Sequence, residues 1–275
     1  MAFIYWNVDP ILVHLGPLAI RWYGLFFAIL FALGYLIARW QFRLEHKDES
    51  SLDTLLACMI AGSIIGARLG HVLFYDPAYY FQHPLEIPQV WKGGLASHGG
   101  AIGILIALYL YSRRHRDQPY LWLLDRVVVP TALGGCMIRL GNLFNSEILG
   151  TPTHVPWAFV FAREDNVPRH PAQLYESFAY ALIFVALMLV YNRLRARTPR
   201  GLLLGLFFAS VFTLRFLIEF VKERQASYET GLPLSVGQLL SIPFILIGLF
   251  FVWRALAKKQ PDNASRPTAS KRSPG

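Results

Sequence analysis

Seven stretches of this chain stay apolar for about twenty residues at a time, and no other feature restricts its fold so strongly. A helix needs roughly 20 residues to cross about 30 Å of hydrocarbon, and in lipid it must bond its own backbone groups. The runs lie at about residues 18–40, 52–74, 96–112, 121–140, 172–194, 202–221 and 236–256. With 55% hydrophobic residues and a mean hydropathy of +0.39, the chain is more apolar than a soluble core of 275 residues requires. The expected fold is an all-α integral membrane protein, a seven-transmembrane-helix bundle forming a single membrane domain over residues 1–257. Residues 1–17 mix Tyr5 and Trp6 with prolines and read as an interfacial segment. Residues 141–171 are polar and turn-rich, too short for a separate domain, and read as a small head on the membrane. Residues 258–275 are rich in Ser, Pro and basic side chains and read as a disordered tail. Ser235 with Gln238 three residues on resembles a capping box opening the last helix.

The formal charge of +9 would suit nucleic acid, but the basic residues fall in short clusters between apolar runs, so no nucleic-acid partner is expected. Arg39, Arg43 and Lys47 follow the first run, Arg113, Arg114 and Arg116 the third, and Arg193, Arg195, Arg197 and Arg200 the fifth. Six more lie after the seventh, whereas the opposite side carries only Lys92, Arg163, Arg169, Lys222 and Arg224. The excess of Lys and Arg marks the cytoplasmic side. Seven spans then put the N-terminus outside, the C-terminus in the cytoplasm and the head on the outer face. Cys58 and Cys136, both within apolar runs, read as packing residues.

Arginine within the runs is costly and calls for an anionic partner or water. Arg215 and Glu219, four apart, can share a helix face. Arg126 beside Asp125 reads as interfacial or as a structural pair. Arg139 stands apart: it follows Gly134-Gly135-Cys136 and precedes Gly141, Asn142, Asn145 and Glu147. Glycines with amides nearby suit a pocket for a bulky polar ligand, and guanidinium is the natural partner of a phosphate. An anionic lipid head group is the ligand this suggests; a helix-tying role is the alternative. Gly93–Gly103, with five glycines and His98, opens the third run. It is either a helix-packing seam or room for a head group beside a titratable side chain. His170-Pro171 with Gln173, Tyr175 and Glu176 opens the fifth run, and Arg21-Trp22-Tyr23-Gly24 the first. His98, His154 and His170 match no metal-ligand spacing, so neither a metal nor another cofactor is expected.

In order and spacing these stretches resemble the prolipoprotein diacylglyceryl transferase family. The matching residues are Arg21–Gly24, Gly66-Ala67-Arg68-Leu69-Gly70, Gly93–Gly103, Arg139-Leu140-Gly141-Asn142 with Asn145 and Glu147, and Arg169–Glu176. Arg215 with Glu219 and Gly237–Pro243 complete the set, from about residue 18 to residue 256. The resemblance implies a multi-pass protein of the bacterial inner membrane with a small periplasmic head. It implies an enzyme that moves the diacylglyceryl group of phosphatidylglycerol to the lipobox cysteine of a preprolipoprotein signal peptide, releasing glycerol 1-phosphate. Carried over by motif, His98, Arg139 and Arg215 are the expected catalytic residues. Tyr23, Arg68, Gly99, Gly100, Asn142, Glu147, Gly150 and Glu219 join Arg139 as the phosphatidylglycerol-binding set, supported by Gln173, Tyr175 and Glu176. The chain departs from the family pattern at Ile138, Ser146, Val211 and Lys222. A transporter for an anionic solute, or another phospholipid-using transferase, is the rival reading; the lack of an internal repeat speaks against the transporter.

Overall fold

A computed structural model describes residues 3–16, 18–224 and 233–257; the tail read as disordered lies outside the described residues. Long helices carry the structure: α1 (Trp22–Leu44), α2 (Ser50–Phe74), α4 (Ser97–Arg114), α5 (Tyr120–Asn145), α6 (Ala172–Leu194), α7 (Leu202–Ile218) and α8 (Val236–Ala257), with a short α3 (Pro77–Gln82) between α2 and α4. All of these except α3 and α4 are long and apolar enough to cross a membrane, which makes six such helices among the described residues. The remaining long helix, α4, falls short of that standard because His98, three glycines and a terminal arginine pair dilute its apolar run.

Several boundaries differ from the sequence reading, among them the end of the first helix, at Leu44 rather than about residue 40. The first helix starts at Trp22, because Leu18–Arg21 forms strand β3, which pairs antiparallel with β2 (Ile11–Leu15). The N-terminal segment is therefore a hairpin with exposed Leu12, Val13 and Leu15. The fourth helix runs five residues further than expected, to Asn145, where Ser146 closes it in the left-handed conformation (φ 57°). Gly141, Asn142 and Asn145 thus lie on its last turns, and the head begins after them. Nor is the protein purely helical: β1 (Ile4–Trp6), β4 (Phe159–Phe161) and β5 (Pro168–Arg169) form a small sheet in the head. Leu143, Phe159 and Phe161 make its core, and Trp6 donates its indole N–H to the Leu143 carbonyl at 3.1 Å.

Helix α5 is the central element, buried over more of its length than the other long apolar helices, and the main core forms around Leu123, Val129 and Ala132 with Leu187, Tyr191 and Leu203. Helices α2 and α4 form a tight pair. A Cβ on Gly62 would stand 2.7 Å from the Gly103 carbonyl, and one on Gly70 would stand 2.8 Å from the Gly99 Cα. Only the absence of side chains lets the backbones approach this closely. The pair joins the main core through Leu52, Leu55, Leu108 and Tyr111, all near one end.

At that end of α5, Arg126 is bidentate on Glu45 at 2.8 and 2.9 Å, lies over the Trp122 ring and is 3% exposed. Asp125 takes the Gly201 and Leu204 N–H groups at 2.6 and 3.0 Å. It therefore caps α7 from a neighbouring helix and satisfies donors that α7 itself leaves open. Its distance to Arg126 is 4.0 Å, so the adjacent pair read from the sequence divides its charges between two other elements. Helix α8 opens with the expected capping box: Gln238 N–H donates to Ser235 Oγ at 3.2 Å, and Ser235 N–H to Gln238 Oε1 at 3.0 Å.

Candidate active site

The opposite end of α5 carries the second charged group. Arg139 lies one helical turn before Asn142, so both project from the same face. Its Nη1 donates to Asn142 Oδ1 at 3.0 Å, and its Nε meets Glu176 Oε2 of α6 at 2.6 Å. Asn142 passes its own amide on to Glu147 at 2.9 Å, where Asn145 also donates at 3.1 Å. Glu147 lies between two left-handed residues, Ser146 and Ile148, each at φ 57°. That conformation costs a β-branched residue free energy, and it fixes the direction of the Glu147 backbone. Gln173, fully buried in the first turn of α6, donates to the Glu147 carbonyl at 2.6 Å. Tyr23 lies flat against α5, since a Cβ on Gly141 would stand 2.6 Å from its ring. Its phenol lies in the fields of both Glu147 and Arg139.

The second oxygen of Glu176 meets Lys222 Nζ at 3.2 Å, and Lys222 also reaches Glu219 Oε2 at 3.1 Å. Glu219 in turn accepts from Ser235 at 3.2 Å and faces Gly237. The result is a continuous ionic row, Arg139–Glu176–Lys222–Glu219, joining α5, α6, the end of α7 and the start of α8. The Arg215–Glu219 pair expected from their spacing does not form. Helix α7 ends at Ile218 and tightens into a 3-10 turn over Glu219–Val221, which swings Glu219 off the face that an i,i+4 pair needs. Arg215 instead lines a cleft with Glu176, Tyr180 and Val211.

Other residues of the expected set are placed differently. Arg68 is committed elsewhere: it donates to the carbonyls of Glu86, Ile87 and Gly93 at 2.6, 2.7 and 2.8 Å and covers the Tyr80 ring. It fastens the loop between α3 and α4. Gly99 and Gly100 face Gly70, Ser63 and Ala67 of α2, so the packing reading of these glycines holds. His98, in the first turn of α4, is exposed and makes no polar contact among the described residues. Gly150 is packed against His170 and Val221 and pairs by backbone with Lys222. Tyr175 accepts from Trp157 at 2.8 Å and bonds His170 at 3.1 Å, away from the ionic row. Lys222 is the member that the sequence reading left out of the site, naming it only as an outer-side charge and as a departure from the family pattern. Its one signal was a basic residue three positions after Glu219.

Over this arrangement, the profile of the prolipoprotein diacylglyceryl transferase family matches residues 10–254. The chain belongs to that family. It is 53% identical to the phosphatidylglycerol–prolipoprotein diacylglyceryl transferase of Chloroherpeton thalassium over 96% of this chain and 98% of the relative. The proteins of the same name from Tolumonas auensis and Porphyromonas gingivalis are 48% and 47% identical, each over 93% of this chain and over 99% and 95% of their own lengths.

Proposed function

We infer that this protein is a phosphatidylglycerol–prolipoprotein diacylglyceryl transferase acting at the Arg139 end of α5. The observation that carries this reading is full-length kinship to enzymes of that name, joined to a group of charges and amides on the matching residues. The lipobox cysteine thiol attacks the glyceryl carbon that bears the phosphate. The C–O bond breaks, a C–S bond forms, and glycerol 1-phosphate leaves with the bonding electron pair. The proton of the thiol passes to a base, and the phosphate must be held as its charge grows. Arg139 and Arg215, which both act on Tyr180, hold the phosphate. Tyr23, Asn142 and Glu147 bond the glycerol hydroxyls. His98 takes the thiol proton as general base.

In this reading α4 is a seventh crossing. Its close packing along α2 supports that, and the basic clusters orient the bundle in the bacterial inner membrane with the head in the periplasm. The substrates are then phosphatidylglycerol from the membrane and the lipobox-containing signal peptide of a preprolipoprotein. The purified protein, incubated with phosphatidylglycerol vesicles and a lipobox peptide, should add one diacylglyceryl mass to the peptide as a thioether. Peptide recovered unmodified would overturn the function.

A further inference from the structure

We propose that Lys222 is a positioning residue of this site, acting through Glu176 on Arg139. This rests on the reading that transfer takes place at the Arg139 group. Lys222 Nζ stands between two carboxylates, 3.2 Å from Glu176 and 3.1 Å from Glu219, and its side chain is only 8% exposed. Its place is set by the main chain on both sides. Lys222 pairs with Gly150, Thr151 N–H donates to the Val221 carbonyl at 2.9 Å, and Glu223 N–H donates to the Leu149 carbonyl at 3.0 Å. The same strand-like contact that docks the head on the end of α7 therefore delivers an ammonium into the ionic row.

The consequence follows from how Glu176 is shared. One of its oxygens meets Arg139 Nε and the other meets Lys222. As long as Lys222 holds the second oxygen, Glu176 engages Arg139 only at Nε. The terminal nitrogens, one of which is already directed at Asn142, stay on the side where a phosphate docks. Without the ammonium, the buried Glu176 and the partly exposed Glu219 lose their shared counter-ion. Glu176 then closes on the guanidinium as a two-point fork, the favoured geometry of an Arg–carboxylate pair, and draws its donors off the phosphate. Lys222 thus keeps Arg139 available without itself touching the reacting atoms.

The test compares wild type, Lys222→Met, Lys222→Arg and the double variant Lys222→Met/Glu176→Gln, each purified and assayed with phosphatidylglycerol vesicles and a lipobox peptide. Lys222→Met should raise KM for phosphatidylglycerol about tenfold and lower kcat less, because a displaced guanidinium costs binding before chemistry. Lys222→Arg should restore most of that loss. In the double variant Glu176 can no longer fork onto Arg139, so its KM should fall back below that of Lys222→Met. If Lys222→Met does not fold, Lys222→Met/Glu219→Gln, which removes one charge of each sign, carries the same comparison and the same expectation. Unchanged KM and kcat in a folded Lys222→Met protein would overturn the proposal, as would a loss confined to thermal stability. Absence of transfer by wild type would instead overturn the function on which it rests.

Discussion

Helix α5 carries an arginine near each end, one buried and one partly exposed, and the two are treated in opposite ways. Arg126 is 3% exposed, grips one carboxylate through three hydrogen bonds and is stacked between Trp122 and Tyr191. Tyr191 and Trp122 donate to the same Glu45 at 2.8 Å each, so the carboxylate is fully engaged, while Arg126 Nη1 makes no hydrogen bond among the described residues and stands 4.0 Å from Asp125. Arg139 is 16% exposed, touches its carboxylate through Nε, and shares that carboxylate with Lys222. The first group is closed on itself and ties α1, α5 and α6. The second is a row of alternating charges with an arginine, Arg215, on the cleft beside it. The Arg126 pair is sealed in the core and joins helices, as a buried ion pair held by several hydrogen bonds does, whereas the Arg139 pair is more open and shares its carboxylate with a second cation.

Substitutions at the two ends should separate along that line. Arg139→Ala should leave the protein folded and lower transfer by about a thousandfold or more, as expected when a donor aimed at developing charge is removed; phosphatidylglycerol binding should fall with it. A change confined to KM for the lipobox peptide would contradict the role given to Arg139. His98→Gln should reduce kcat by roughly a hundredfold or more while phosphatidylglycerol still binds, the usual range for loss of a general base. Undiminished single-turnover transfer would remove His98 from the mechanism. Arg126→Ala should behave in the reverse sense, costing about 3–5 kcal/mol of stability by stranding Glu45 in the core. Thermal unfolding in detergent measures this, and folded protein should keep its KM. Gly103→Ala forces a methyl into the α2–α4 contact and should cost about 1–3 kcal/mol, as overpacking does; an unchanged unfolding temperature would argue against the tight seam.

The smallest effect belongs to the head. Asp165 is held below the usual carboxylate range chiefly by its hydrogen bonds from Arg169, which reach it at 2.7 and 3.0 Å. A depressed carboxylate contributes stability that is present above its unfolded value and lost as pH falls through the folded one. Unfolding followed from neutral to strongly acidic pH should therefore show a slight loss below the ordinary Asp range that Asp165→Asn abolishes.

The long helices were legible in the sequence because in lipid length and hydropathy alone almost determine them. The boundary at Trp22 was missed by four residues because Leu18–Ile20 is as apolar as a helix and is a strand only through its pairing with Ile11–Leu15. Half of the site was legible for a similar local reason: Arg139, Asn142 and Glu147 lie within nine residues and fold onto one another. What was not legible depends on contacts between distant segments. Arg68 reads as a free charge until the carbonyls of residues 86–93 close around it. Lys222 reads as a loop charge until Gly150 pairs with it. The Arg215–Glu219 pairing failed because a change of helix type at residue 219 carries no sequence signal.

The interlocked glycines of α2 and α4 have one more effect. With Gly62, Gly66 and Gly70 meshed against Gly99 and Gly103, neither helix can turn or slide without the other. The bearing of His98 is therefore inherited from α2, a helix to which it does not belong. Ser63 and Ala67, which pack on Gly100, would carry the backbone of His98 with them if they moved.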